Sequence, residues 1–183
     1  AIYADLLRDD QVGSTFQQRR LALTAKEWTV EPATESAIDK AAADFAREQL
    51  QAIGWDDLTD KALYGVFFGY SIAELMWERQ GNRLGWSSIK VRDRARFSFG
   101  QSGKLYLRKE TGSGWDLMPE RKFWTFTTGG DNHDQLYGSG LAQKLYWPVF
   151  FKRNDIKFWL VFLERFAGPT AKATMPAGQY END

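Results

Sequence analysis

The first third of the chain places apolar side chains at helical spacings. In the range Tyr3 to Leu23 they recur every three or four residues, which predicts one or two short helices. Gly13 is the candidate break and Ser14 the candidate internal cap of this region. The next range, Leu23 to Glu31, alternates with a period of two until Pro32 ends the alternation. This second pattern predicts a strand.

Two further helices are predicted between residues 36 and 70. The first begins at Ser36, where Asp39 three residues later forms a capping box, and Gly54 ends it as a left-handed cap. The second is opened by Asp56 or Asp57 and runs through residue 70. Because the connection between them is so short, we expect the two helices to form an antiparallel pair.

The middle of the chain changes to a period of two and is rich in turn residues. Alternating apolar and polar positions, separated by clusters of Gly, Asn and Ser, are typical of antiparallel hairpins. The predicted strands and turns are residues 72–77, the turn Gln80 to Arg83, Leu84 to Val91, Ala95 to Phe99, the turn Gly100 to Gly103, Lys104 to Lys109, and Lys122 to Thr127. The region therefore predicts antiparallel β structure.

A polar loop and one long helix follow. Residues 129–140 combine four glycines with a run of polar side chains, which predicts a loop. From Leu141 to Phe166 the pattern is helical, about 39 Å long if the helix is continuous. Pro148 is expected to kink this helix or to mark the start of its main part. The predicted fold class is α+β, with a helical pair and antiparallel hairpins followed by one long C-terminal helix.

Apolar residues cover most of the circumference of this long helix. A broad face carries Leu141, Leu145, Val149, Ile156, Trp159, Leu160, Leu163 and Phe166, and the other faces carry Tyr146, Trp147, Phe150, Phe151, Phe158 and Phe162. Lys152, Arg153, Asp155, Lys157 and Glu164 are predicted to make a polar stripe. A helix this apolar is normally buried on all sides, which a chain of 183 residues does not easily achieve. We therefore expect neighbouring subunits to cover it.

Charge is balanced overall but segregated along the chain. There are 24 basic and 24 acidic residues, so the formal net charge is zero. Residues 1 to 60 have a net charge of −6, residues 61 to 109 of +7, and residues 110 to 183 of −1. This distribution excludes a uniformly basic nucleic-acid binder and leaves room for a locally basic face.

Composition also removes several kinds of chemistry. The chain has no cysteine and a single histidine, His133, which excludes disulfides, thiolate metal sites and multi-histidine metal sites. We expect neither a metal nor a cofactor. Charged residues near the start argue against a signal peptide, and the apolar run Phe158 to Leu163 is too short to span a bilayer, so no membrane association is expected. The missing initiator Met and the polar end suggest a piece of a longer protein.

The polar loop contains the one histidine-bearing cluster. Asp131, His133 and Asp134 could form a metal or acid-base centre, although a solvated loop is the simpler interpretation. A competing functional hypothesis is a small enzyme or carbohydrate-binding module in which the Trp-rich β region frames a cleft and this cluster lies at its rim. Glu74 and Glu78 would be about 13 Å apart on a strand, too far for a glycosidase pair.

A basic row is the second candidate site. Alternation puts Lys90, Arg92, Arg94 and Arg96 on one side of an extended segment, where they could face phosphates. The simpler interpretation is a solvated strand face, or pairing with the acidic N-terminal block. The glycine motifs Gly112 to Gly114 and Gly138 to Gly140 lack the Walker and dinucleotide-binding patterns and are better explained as a cap and a hinge.

The order of several weak motifs resembles a known family. The segments are Asp10 to Leu23, Lys26 to Pro32, Gly69-Tyr-Ser-Ile-Ala-Glu-Leu-Met-Trp-Glu78, Arg94-Ala-Arg-Phe-Ser-Phe99, Tyr137-Gly-Ser-Gly-Leu-Ala142, Trp147, Phe151-Lys152, Trp159, and Phe162-Leu-Glu-Arg-Phe-Ala-Gly-Pro169. Together they cover most of the chain. Their order and spacing resemble the portal proteins of Mu-like bacteriophages and prophages.

The resemblance implies a structural protein without catalytic residues. The full-length protein would form a ring, typically a dodecamer, at one capsid vertex of the virion, after assembly in the host cytoplasm. Double-stranded DNA would be packaged and ejected through the ring without sequence-specific contacts, and the terminase motor and neck or tail proteins would attach to it. Residues 1–140 would form a wing-like α+β domain, residues 141–167 a stem-like helix, and residues 168–183 the truncated start of a clip-like segment.

Helical phase, combined with the resemblance, assigns side chains on the stem-like helix. Arg153, Lys157 and Glu164 share one narrow stripe and are expected to face the DNA channel. Large rings on the other faces are expected at subunit interfaces; these are Phe151, Phe158, Trp159 and Phe162.

Overall fold

A computed structural model of the chain describes residues 2–168. The chain divides into two compact units, Ala1–Tyr146 and Trp147–Asp183. Helices and antiparallel strands make up the first unit, and a long helix runs from the end of the first into the second, which confirms the α+β fold class. The predicted clip-like segment lies, apart from its first residue, outside the described residues.

Two helices open the chain, as predicted. Helix α1 spans Ile2–Asp5, a short 3₁₀ turn follows, and helix α2 spans Asp10–Thr24. The break between them lies at Asp9, whose carboxylate accepts a hydrogen bond from the Val12 amide and caps α2. The prediction that Gly13 breaks the helix and Ser14 caps it was wrong, because both lie inside α2.

The strand predicted for the range Leu23 to Glu31 was also wrong. Its first residues belong to α2 and the rest is extended chain without a partner strand among the described residues. Single side chains tie it down instead: the Trp28 indole donates to Asp56 at 3.2 Å, and Arg47 donates to the Val30 carbonyl at 2.9 Å. Alternation thus indicated an extended backbone, but a strand also requires a neighbour to pair with.

The next helices begin and end close to where their caps predict. Helix α3 spans Ala37–Ala52, and the Ser36 hydroxyl accepts from the Asp39 amide. Gly54 adopts a left-handed φ of +70°, so α3 stops and α4 begins at once, spanning Trp55–Ala62. The second predicted helix is divided, because a short helix α5 covers Tyr64–Phe68 and residue 70 already belongs to a strand.

The core of the first unit forms where these helices meet the first strand. Phe67 on α5 is fully buried, and its ring lies 5.1 Å from that of Phe16 on α2. Tyr64 meets Phe16 edge to face at 5.5 Å. On the strand side, Ile72 and Ala73 are almost completely buried. Helix α5 therefore joins the helical layer to the sheet.

The first sheet confirms the predicted long hairpin. Strand β1 spans Tyr70–Gln80, β2 spans Arg83–Arg92, and β6 spans Phe123–Thr127; the order is β2-β1-β6 and both pairings are antiparallel. A buried side chain of α3 fastens the hairpin tip. Gln49 accepts from the Trp86 amide at 2.6 Å and donates to the Gln80 side chain at 2.9 Å. These bonds anchor the hairpin to the helical layer.

The second sheet is a short meander with one strand that periodicity missed. Strand β3 spans Phe97–Phe99, β4 spans Leu105–Arg108, and β5 spans Trp115–Leu117, in sequence order. The predicted hairpin is confirmed, but its first strand begins later than expected. Residues 94–96 form a 3₁₀ turn, because the Asp93 carboxylate accepts from the Ala95 amide and caps it.

The polar loop is held against the first sheet by backbone hydrogen bonds. The Ser139 amide donates to the Thr128 carbonyl at 2.9 Å, and the Thr128 amide donates to the Gly69 carbonyl at 2.8 Å. Gly138 has a φ of +61°, and a Cβ atom there would collide with the carbonyl oxygens of Thr128 and Gly69. A glycine is therefore required at this crossing by both conformation and space.

Helix α6 spans Leu141–Phe166, the range predicted for it. It continues through Pro148, so this residue does not mark its start. Proline lacks the amide donor and leaves one carbonyl of the preceding turn without its helical hydrogen bond. Across residues 2–168, no helix combines the length and apolar character needed to cross a bilayer.

We predict different costs for alanine at two left-handed glycines. Gly138→Ala and Gly81→Ala both force alanine into a positive φ, which costs about 1–2 kcal/mol. Gly81 has no atoms within 4 Å of the added Cβ, whereas Gly138 is enclosed by backbone. Gly138→Ala should therefore lose about 1–3 kcal/mol more stability in urea denaturation. Equal losses of stability in the two variants would contradict the close approach of backbone atoms to Gly138.

Candidate functional site on the long helix

Helix α6 exposes large apolar side chains along the whole stretch that lies in the second unit. Phe158 is 70% exposed and Trp159 63% exposed. Other exposed apolar residues there are Trp147, Phe150, Phe151, Ile156, Leu160, Val161, Phe162, Leu163 and Phe166. Scattered apolar residues are normal on a protein surface, but a continuous run of this length marks an interaction surface.

These side chains form two ridges with different chemistry. At about 100° per residue, Phe151, Phe158 and Phe162 fall within about 40° of one another. We call this set the aromatic ridge. Trp147 extends it toward the N-terminus, with its ring stacked on Phe151 at 6.0 Å. The result is one side of the helix built from flat, rigid rings.

The second ridge lies on roughly the opposite side of α6 and is made of branched side chains. We call Ile156, Leu160 and Leu163 the aliphatic ridge; they fall within about 60° of one another and are all exposed. Trp159 lies between the two ridges on the side away from the polar stripe described next. The helix thus offers two different apolar faces rather than one face used twice.

A polar stripe separates the ridges on the remaining side. Arg153, Lys157 and Glu164 are exposed and fall within about 40° of one another around the axis. Lys152 and Asp155, which were predicted to belong to the same stripe, lie at other angles by the same helical phase. The stripe therefore consists of two cations and one anion.

The four cations of the basic row, Lys90, Arg92, Arg94 and Arg96, do not form a continuous surface. The row is interrupted after Arg92, because Arg94 and Arg96 lie in the 3₁₀ turn rather than on a strand. Arg96 pairs with Glu110 at 3.1 Å, and Arg94 stacks over a phenylalanine ring. Three of the four cations therefore contact other side chains of the same unit, and Arg94 and Arg96 do not continue the strand face of Lys90 and Arg92.

Glu74 is the centre of the best-connected charge cluster. Its side chain is 16% exposed; one carboxylate oxygen accepts from Arg92 at 2.8 Å and the other pairs with Lys122 at 3.2 Å. Burial raises the pKa of Glu74, but the hydrogen bonds and charges of the two cations together outweigh burial and hold this pKa below its ordinary value. The cluster joins β1 and β2 to the residue directly before β6.

The histidine-bearing cluster lies in a loop held by its own hydrogen bonds. The Asn132 side chain donates to Asp131 at 2.6 Å and accepts from the Asp134 amide at 3.0 Å, so these residues fold their own loop. The cavity beside His133 measures about 240 Å³, below the usual range for ligand pockets. Among residues 2–168, no group of three or more His, Asp or Glu side chains is placed to hold a metal ion.

The tryptophans of the β region do not gather around this loop. Trp77 tilts against Trp86 with ring centroids 5.7 Å apart, and its indole donates to the Arg121 carbonyl at 2.9 Å. Trp124 stacks on Phe126 at 6.0 Å. These rings pack within the sheet, as core and surface aromatics do.

Comparison with known proteins identifies the family. A family model described as the portal protein of Mu bacteriophage matches residues 1–183, and the chain belongs to this family. It is 30% identical over 176 residues to the portal protein of Escherichia phage Mu, covering 93% of this chain and 34% of that protein. It is 28% identical over 183 residues to the Mu-like prophage FluMu protein gp29 of Haemophilus influenzae, covering 96% of this chain and 35% of that protein.

The family resemblance inferred from the sequence motifs is thereby confirmed. The family is structural. The chain spans about a third of the length of the two relatives.

We predict a pH-dependent contribution of Glu74 to stability. A carboxyl group with a lowered pKa stabilises the fold above its unfolded-state pKa, near 4.5, and loses this effect as the pH falls through its folded-state pKa. Glu74→Gln should therefore cost about 1.5–3 kcal/mol at neutral pH, and progressively less as the pH falls through the folded-state pKa of Glu74. Urea denaturation across this pH range measures the difference.

Glu78→Gln is the matched control, because Glu78 is exposed on the same strand. It should change stability by less than about 0.5 kcal/mol at any pH. A pH-independent loss in Glu74→Gln, or an equal loss in both variants, would contradict the role of the Glu74 cluster.

Proposed function

We propose that the full-length protein containing this chain is the portal of a Mu-like phage or prophage. It forms a ring, typically of twelve subunits, at a capsid vertex of the virion, and assembles there from subunits made in the host cytoplasm. Double-stranded DNA passes through the ring during packaging and ejection, and the terminase motor and neck or tail proteins attach to it. One observation carries this proposal: α6 exposes two different apolar ridges in a chain of a portal family.

Two different ridges suit a ring better than a two-fold dimer. In a dimer the same patch meets itself, whereas a ring repeats a contact between two different patches. The aromatic ridge of one subunit would pack against the aliphatic ridge of the next. Residues 141–167 would then be a stem, residues 1–140 a wing, and residues 168–183 the start of a clip. Phe151, Phe158, Trp159 and Phe162 would be interface residues.

This packing would leave the polar stripe facing the axis of the ring. Arg153, Lys157 and Glu164 would then line the channel and meet DNA. Each cation that neutralises a phosphate strengthens binding and makes it salt-dependent. A sparse stripe of mixed charge would therefore let DNA slide, which a conduit requires. The proposed protein has no catalytic step of its own.

Assembly is the direct test of this proposal. We predict that Phe151→Ser or Phe158→Ser, each on the aromatic ridge, prevents ring formation in the full-length protein, because central aromatic residues of an interface contribute about 2 kcal/mol or more each. Mass photometry should show subunits instead of rings.

Trp115→Ser is the matched control, since this exposed residue lies on β5, far along the chain from α6. It should leave the rings intact, and so should His133→Ala. Normal rings from both helix variants would contradict the interface assignment. Loss of an enzymatic activity in His133→Ala would favour the competing enzyme or carbohydrate-binding hypothesis.

A charge reversal tests the channel stripe. Glu164→Lys would give the stripe a third cation in every subunit, so full-length rings should bind duplex DNA more tightly and with a steeper salt dependence. The slope of log K against log salt should grow by about 0.9 for each added phosphate contact. Glu48→Lys makes the same change at an exposed position on α3. Identical DNA binding by the two variants would contradict the proposed placement of the polar stripe in the channel.

A further inference from the structure

The first unit contains a pocket lined by aromatic rings that the portal function does not explain. Its volume is about 710 Å³, within the range of ligand-binding pockets. Six of its lining residues matter here: Tyr3, Phe68, Tyr70, Arg94, Tyr137 and Tyr146. They come from five separate parts of the chain: α1, the end of α5 and start of β1, the 3₁₀ turn before β3, the polar loop, and the first turns of α6.

The wall of the pocket is preformed. Tyr70, Phe99 and Tyr137 meet edge to face in a triangle, with ring centroids 5.1–5.8 Å apart. The Tyr137 hydroxyl accepts from the Phe99 amide at 2.9 Å and lies 2.9 Å from the Ser98 hydroxyl. Burial, together with the neighbouring Tyr137, raises the pKa of Tyr70, so its phenol is neutral at physiological pH. A ligand would enter a shape that is already fixed.

The one cation among the residues that line the pocket has no carboxylate of the described residues within ion-pair distance. The Arg94 guanidinium lies 3.4 Å from the centroid of the Phe68 ring. Within residues 2–168 it forms no ion pair, and its side chain donates no hydrogen bond to another residue. By contrast, Arg20, Arg92 and Arg96 each pair with a carboxylate.

The charge of Arg94 is partly buried. Burial lowers the pKa of Arg94, the nearby Tyr70 and Asp93 act in the opposite direction, and the group stays charged. The neighbouring Asp93 uses one carboxylate oxygen to cap the Ala95 amide. A partly buried guanidinium keeps its planar set of donors, and a carboxylate fits that set with two parallel hydrogen bonds.

We propose that this pocket binds an acidic peptide segment of a partner protein, in which an Asp or Glu carboxylate lies next to an aromatic or aliphatic side chain. The carboxylate pairs with Arg94, and the apolar side chain lies among the tyrosine rings. This proposal goes beyond ring formation and does not depend on it, because all the lining residues belong to one unit of one chain.

Charge and shape favour a peptide over nucleic acid. A phosphate backbone is held by several cations along a groove, whereas Arg94 is the one cation among the residues that line this pocket. Five rings around a single guanidinium instead match one carboxylate beside one apolar group.

The test uses the full-length protein and two small probes observed by saturation-transfer NMR. N-acetyl-phenylalanine carries the carboxylate and the ring, and N-acetyl-phenylalanine amide carries the ring alone. The acid should bind with its ring protons saturated, and the amide should bind about tenfold more weakly, as expected for the loss of a charged hydrogen-bonded pair. This comparison needs no variant and is independent of any folding defect.

Variants then assign the effect to Arg94. Arg94→Gln should weaken binding of the acid about tenfold and leave the amide unchanged. Arg108→Gln, which removes an exposed arginine from β4, should bind both probes as the wild type does.

Three results would overturn the proposal. The first is equal binding of acid and amide, or no binding of the acid. The second is unchanged binding of the acid by a folded Arg94→Gln variant. The third is tighter binding of a short single-stranded oligonucleotide than of the acid, lost in Arg94→Gln, which would make the pocket a phosphate site.

Discussion

Water solvates the two apolar ridges of α6 poorly, so a stable assembly of the protein has to cover them. Burying one large apolar side chain contributes about 1.5–3 kcal/mol, and at least seven such side chains lie on the aromatic and aliphatic ridges. Because the ridges differ and lie on roughly opposite sides, a repeated contact between neighbours satisfies both at once. In the proposed ring, the polar stripe of Arg153, Lys157 and Glu164 would face the water-filled channel.

The elements that could be predicted from sequence are those with local determinants. Ser36 and Gly54 mark the ends of α3, and a long apolar pattern defines α6, because caps and helical phase act within a few residues. The strand prediction for the range Leu23 to Glu31 failed because a strand depends on a partner elsewhere in the chain. Strand β5 has three residues, too few to show a period.

The candidate sites divide in the same way. The ridges and the stripe follow from helical phase, so residues such as Phe158 and Lys157 could be chosen from the sequence. The aromatic pocket could not, because it joins residues as distant in the chain as Tyr3, Arg94 and Tyr137. Asp93 caps a 3₁₀ turn, so Arg94 does not continue the expected basic row on a strand. Arg94 lines the aromatic pocket instead.

Particle imaging of the full-length protein tests the central claim most directly. The account predicts closed rings in which α6 of each subunit lies beside the axis, with the aromatic ridge of one copy against the aliphatic ridge of the next. A stable monomer under conditions that favour assembly would contradict it, and so would rings in which α6 points away from the channel.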